Sequence, residues 1–398
     1  MRIGWLDFSS EERAKINAIL EQLKEKSNLD ELGLAPIRDG FANLFFPGMS
    51  TLINRAKYFL IVPYALKDLE KCQGPNLAGR LQEIERDCAQ KLVAGSTLPY
   101  IIGRRSLNHD SWVSQPPSEM YWGPLRHYGI FRKEDLSLAG CLRLLESCPP
   151  IKHSMRGRTG EEDGCEDDPD AGARPALGLW DPALPYSPNW RDNLQIILTR
   201  EEAEYLKARF LAKNEHTMLG HILRHNLTQM AACENFLDFQ NFIGLFPADI
   251  QADYWLARDF SLFTFVLRIA FALVISKDQN SEALNKWNEY AGRFSEIAGL
   301  ALDRIFARLN LDLSVLENQN LKSFLEKAQA AMHGENMDYL KVIVARREQA
   351  IKQRPKSLSP EPILNWAGLY RLNYRFANCR ELCEDIFAAL GLLDGANV

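Results

Sequence analysis

PIRDGFANLFFPGMSTLINRAKYFLIVPY, residues 36–64, joins two amphipathic segments across a Pro-Gly turn. Pro36 suits the first turn of a helix, where a missing N–H costs nothing. Phe41, Leu44 and Phe45 recur on one face, and Pro47-Gly48 ends the run. Ser50 or Thr51 then predicts the cap of a second helix, TLINRAKY, with Asn54, Arg55 and Lys57 on its exposed face. Phe59 to Val62 reads either as a buried strand or as that helix carrying on, because so short an apolar run does not separate the two. A helix, a tight turn and a second helix with basic residues is the outline of a helix-turn-helix. Plain core helices with a solvated basic face share that outline.

Residues 100–133, YIIGRRSLNHDSWVSQPPSEMYWGPLRHYGIFRK, echo the pattern. A short strand over 98–102 leads into Gly103-Arg104-Arg105. Ser118 predicts the N-cap of EMYWGPLRHYG, kinked at Gly123-Pro124. Gly129 closes that helix, and 130–132 reads as a strand or wing. Arg104, Arg105, Arg126, Arg132 and Lys133 outnumber the acids Asp110 and Glu119, with Tyr121, Trp122 and Tyr128 between them. Arginine with aromatics suits phosphate contact and base stacking. Burial of the aromatics as core is the competing reading, above all for Trp122. Adjacent Arg104 and Arg105 point apart, so one of them is expected in an internal ion pair.

The chain has 398 residues, 46% hydrophobic and 25% charged, with a net charge of -5. That length implies two or three domains, and the balance is that of a globular protein. A mild negative charge excludes a wholly basic nucleic-acid coat and leaves room for a local basic patch. After MRIGWLDF the N-terminus turns polar, with Ser9 and Glu12 in capping-box positions, so no signal-peptide core is read there. The longest apolar run, residues 260–276, carries Arg268 in its middle; a buried helix is expected and a membrane span is not. A cytoplasmic protein with free thiols at its eight cysteines follows.

Three stretches organise the rest. Residues 1–150 form an N-terminal helix-turn-helix or winged-helix-like domain, 151–194 a linker with an acidic loop around 158–172, and 195–398 a helical domain. Helix is predicted over 65–94 with a break at 73–75, and over 133–147, 250–277, 281–309, 315–334, 337–354 and 364–392. Thr199 and Glu202 form a capping box. The expected fold is mainly α, a winged-helix-like α/β part followed by a helical bundle.

Chemistry-bearing patterns are few. No phosphate-binding glycine loop, nucleophile elbow or paired His-x-Lys nuclease motif is present. His221 and His225 share a helical face but lack a third ligand at fixed spacing, and Cys379 and Cys383 read as small buried side chains. The acidic loop lacks the order of a calcium loop. No metal and no cofactor are expected.

GWLDFS at Gly4, LGLAPIRDGFANLFFPGMSTLINRAKYFLIVPY at Leu32, GRRS at Gly103, PPSEMYWGPLRHYGIFR at Pro116 and LTREEAEYL at Leu198 resemble a bacterial family of proteins of unknown function, and the segment from Trp366 to Leu392 fits it too. The resemblance implies phage-defence gene neighbourhoods, with a helicase or phospholipase-D-like nuclease as partners. The acidic loop has no counterpart in it. The expectation is a non-catalytic nucleic-acid-binding accessory subunit of a defence complex, contacting DNA through Arg55, Lys57, Arg104, Arg105, Arg126 and Arg132. A protein–protein adaptor without DNA contact and a nuclease with dispersed catalytic residues are the alternatives.

Overall fold

The computed structural model describes residues 30–72, 75–107, 112–147, 178–334 and 336–393. The expectations for the Ser9 helix, for Cys148 and Cys165 and for the acidic loop lie outside these residues. Among the described residues the protein is helical, with fourteen α-helices, short 3-10 turns and no strands. The winged-helix α/β part is therefore corrected. Residues 98–102 are irregular, with Tyr100 at φ +63°, and Phe131 makes one isolated antiparallel bridge to Trp180. The hydrogen bonds from Arg132 N–H to Leu179 O and from Asp181 N–H to Ile130 O make that bridge, and among the described residues it is not continued into a strand.

The chain divides into two compact units, residues 1–42 with 243–374 and residues 43–242 with 375–398. This grouping is interleaved, whereas the division at 150 and 195 is consecutive. Helix α1 (Ala35–Phe45) carries the chain from the first unit into the second.

The first unit is built on α8 (Ala248–Ser276), with α9 (Ser281–Tyr290), α10 (Phe294–Ile297), α11 (Leu302–Arg308), α12 (Leu316–His333) and α13 (Met337–Ile351). Helix α8 is apolar all round beyond Phe260, so it must be enclosed on every side. By length and composition it could cross a membrane, yet 83% of its apolar window is buried in the protein. Phe41 and Phe260 pack at 6.2 Å, and Phe271 and Trp366 at 5.1 Å. Arg268 donates to the carbonyls of Gly368 and Tyr370 and lies over the Tyr370 ring. The helix expected over 364–392 starts only at α14 (Phe376–Ala389), after Tyr374 and Arg375 take positive φ. The stretch before it stays irregular and supplies the carbonyls that Arg268 needs.

The second unit gathers α2 (Tyr58–Glu70), α3 (Leu77–Gly95), α4 (Pro117–His127), α5 (Leu138–Ser147), α6 (Arg200–Asn214), α7 (Met218–His225) and α14. Its centre is aromatic: Phe59 meets Tyr121, Tyr128 and Phe210 edge-on at 5.0–5.7 Å. Trp122 is buried against Phe131, as core, with its indole N–H donating to the Leu136 carbonyl. Pro116 occupies the N-cap of α4; Ser118 lies inside the helix and its N–H donates to Glu85.

Candidate functional site

The expected helix TLINRAKY is absent. Residues 50–57 form turns, and the helix begins at Tyr58, so 59–62 is helical. Tertiary partners take the backbone groups that a helix would have paired. Ala56 N–H donates to Asp385 Oδ2 at 2.8 Å, and the Tyr121 hydroxyl bonds both the N–H and the carbonyl of Arg55. The Asn378 amide donates to the carbonyls of Thr51 and Ile53. Residues 46–57 separate α1 from α2, more chain than the three- or four-residue turn of a helix-turn-helix allows.

Arg55 and Lys57 are not on an exposed face; both are only 6% exposed. Arg55 Nη2 lies 2.7 Å from Asp385 Oδ1, and Lys57 Nζ lies 2.7 and 2.8 Å from the two oxygens of Glu202. Glu202 also closes the capping box, accepting from Thr199 N–H at 2.8 Å, so one carboxylate anchors the start of α6 and neutralises Lys57. Burial pushes the Asp385 carboxyl up to about 7, although Arg55 and Ala56 N–H pull it down. Glu85 is buried beneath the Ser118 N–H, which donates to it at 2.7 Å, while its other oxygen has no partner. Burial pushes it also to about 7.

The other expected contact residues divide. Arg104 is half-buried and donates to the carbonyls of Ser96 and Leu98, so it is internal through backbone oxygens rather than an ion pair. Arg126 is half-buried and donates to Glu134 O. Arg105 and Arg132 are exposed, as is Lys133.

The His221 and His225 rings lie 4.3 Å apart, and among the described residues no group of three His, Cys, Asp or Glu side chains is placed to hold a metal ion. Burial pushes the Cys88 and Cys141 thiols up to about 12 and Cys233 to about 11, which favours the protonated thiol over the nucleophilic thiolate at neutral pH.

The aromatic residues of WDPALPYSPNW, at 180–190, read as packed against a neighbour, and the structure shows the neighbour of Tyr186 and Trp190 to be α2. Tyr64, Lys67, Asp68 and Lys71 share one face of α2, being three and four positions apart. Asp68 accepts from the Tyr186 hydroxyl at 2.5 Å and from the Trp190 indole at 3.1 Å. The signal was there in WDPALPYSPNWR beside the KDLEK of α2, but nothing in the sequence joins stretches so far apart.

Residues 1–139 match a family of unknown function, DUF6361. No curated protein and no solved structure matches the chain. The matched stretch holds Arg55, Lys57, Arg104, Arg105, Arg126 and Arg132, whereas Glu202 and Asp385, which neutralise the two buried cations, lie beyond it. The blocks at Leu198 and Trp366 also fall outside the match.

Proposed function

We propose that the protein is a non-catalytic accessory subunit that contacts nucleic acid, working within the bacterial phage-defence setting that the sequence resemblance implies. Arg105, Arg132 and Lys133 carry this reading: they are exposed cations, and phosphate contact requires charge that water and ligand can reach. Arg55 and Lys57 leave the contact set because their charges face Asp385 and Glu202. The high thiol pKa values support a non-catalytic role for the buried cysteines.

A second reading, a protein–protein adaptor, is favoured by three apolar side chains within four residues. Leu313, Val315 and Leu316 are 39%, 42% and 64% exposed. Exposed apolar residues gathered together mark contact surfaces more than scattered ones do.

Fluorescence anisotropy across a salt series separates the readings. The nucleic-acid reading expects binding at about 50 mM salt that weakens steeply as salt rises. It also expects weaker binding by R105E/R132E, with the circular dichroism unchanged. Absence of binding at that salt leaves the adaptor.

A further inference from the structure

We propose that Tyr186 and Trp190, with Lys67, Lys71 and Arg191, form a contact platform for single-stranded nucleic acid; this rests on the nucleic-acid reading above. The two rings are set by one carboxylate. Asp68 takes the Tyr186 hydroxyl at 2.5 Å and the Trp190 N–H at 3.1 Å, which fixes the polar edge of each ring. Tyr64 supports them from below, edge-on at 5.6 Å to Tyr186 and 5.4 Å to Trp190. Its own hydroxyl donates to the Pro185 carbonyl, so the loop that carries the rings is tied to α2.

Cations surround the rings. Lys67 and Lys71 place their ammonium groups 4.9 and 4.8 Å from the Tyr186 centroid, and the Arg191 guanidinium is 5.9 Å from the Trp190 centroid. Lys71 also donates to the Tyr186 hydroxyl at 2.7 Å. Arg191 reaches Asp68 at 3.4 Å and Asp87 at 3.8 Å, and Asp87 is shared with Lys91 at 3.1 Å. Arg191 thus bridges Asp68 and Asp87, and the neighbouring Glu70 accepts from Trp180 N–H through its Oε1. Lys67 and Lys71 approach the Tyr186 ring on a chain whose net charge is -5. Tyr186, Trp190 and Lys67 are half-buried and Lys71 is exposed, so each of these side chains reaches solvent.

The chemistry selects the partner. A flat ring offers its face to any base, and stacking is tolerant of sequence. Lysines now resting on the Tyr186 ring are long and flexible, so a phosphate draws them off and leaves that face to a base. Duplex bases are already stacked on each other and do not reach such a face, so an unpaired strand is preferred over a duplex. Deoxyribose and ribose strands share the phosphates and bases that this geometry reads.

The test uses the full chain with labelled oligo(dT), oligo(U) and a duplex in anisotropy titrations over a salt series. Wild type is expected to bind the single strands more tightly than the duplex. Y186A is expected to lose about tenfold or more in affinity for single strands, the scale of one lost stack. Y186F keeps the ring and is expected to bind nearly as wild type. K67E/K71E changes only side chains that reach solvent, so it tests the platform if Y186A fails to fold; it is expected to abolish single-strand binding and leave circular dichroism unchanged. Single-strand binding that is intact in K67E/K71E but lost in R105E/R132E overturns the platform and leaves the nucleic-acid reading standing. Tighter binding to duplex than to either single strand also overturns it. No binding by wild type overturns both.

Discussion

Arg268 in the first unit and Arg55 in the second are buried to the same degree, 5% and 6% exposed, but their charges are met in different ways. Arg268 sits on the apolar helix α8 and is held by the carbonyls of Gly368 and Tyr370 and the face of the Tyr370 ring. Asp30 and Glu31 line the same small cavity, in which Glu31 is already taken by Lys356 at 2.6 Å and the Trp366 N–H at 3.1 Å. Arg55 is held by one carboxyl group, Asp385, as Lys57 is by Glu202. Dipoles share a cation's charge among several weak partners, whereas an ion pair concentrates it in one. Removing that one partner strands a charge in low dielectric, so the two units should respond very differently to a single deletion.

The largest expected effect follows from where the partners lie. A fragment of residues 1–150 keeps Arg55 and Lys57 and lacks both Asp385 and Glu202. Expressed alone, it is expected to be insoluble or to show no cooperative unfolding. A soluble fragment that melts cooperatively would make 1–150 a self-standing domain and break the comparison.

Asp385→Ala comes next. It leaves the Arg55 guanidinium buried without its anion and Ala56 N–H without its acceptor, at a cost of about 3–5 kcal/mol. Urea denaturation measures it, and a loss below about 1 kcal/mol, the range of surface pairs, places Arg55 in solvent.

Glu85 sharpens the same contrast, being a buried carboxylate held, among the described residues, by the Ser118 N–H rather than by an ion pair. Its pKa rises on folding from 4.5 to about 7, mainly through burial. The native state therefore holds the proton more tightly than the unfolded chain. The contribution of Glu85 is fully present below about 4.5 and is lost as pH rises through about 7. The loss amounts to about 3 kcal/mol on the rule of 1.36 kcal/mol per unit. Stability measured from pH 5 to pH 8 should fall, and Glu85→Gln should flatten that fall. An equally steep profile in the variant would assign the titration to another group; Asp385, also raised, is the first to examine.

Arg268→Met gives the smallest effect. The cation leaves with its own side chain, so no charge is stranded, and two carbonyls lose a donor beside a cavity of water-like size. A cost of about 1–2 kcal/mol is expected. A loss as large as that of Asp385→Ala would mean that Arg268 neutralises Asp30 or Glu31.

How much of this was legible in the sequence depended on distance along the chain. The Thr199–Glu202 box, the buried helix over 260–276 and the burial of Trp122 rest on local spacing and apolar character, and each is present in the structure. The helix assigned to 51–58 failed because Asp385, Tyr121 and Asn378 take its backbone groups, and two of these lie more than 300 residues away. The same separation hid the burial of Arg55 and Lys57: charge invites a surface assignment until the partner is seen. The wing over 130–132 failed because one bridge to Trp180 is not continued by further pairing. The packing of Tyr186 and Trp190 was legible, but their partners Tyr64, Lys67 and Asp68 were not, because these lie more than 100 residues earlier in the chain.

Arg55 and Lys57 neutralise internal carboxylates rather than face a ligand. A double-mutant cycle on Lys57→Met and Glu202→Leu, read by urea denaturation, tests it most directly. The account predicts that each single change is costly, that the double variant recovers much of the loss, and that the coupling energy is about 2 kcal/mol or more. A coupling energy near zero, with Lys57→Met as stable as wild type, would contradict it.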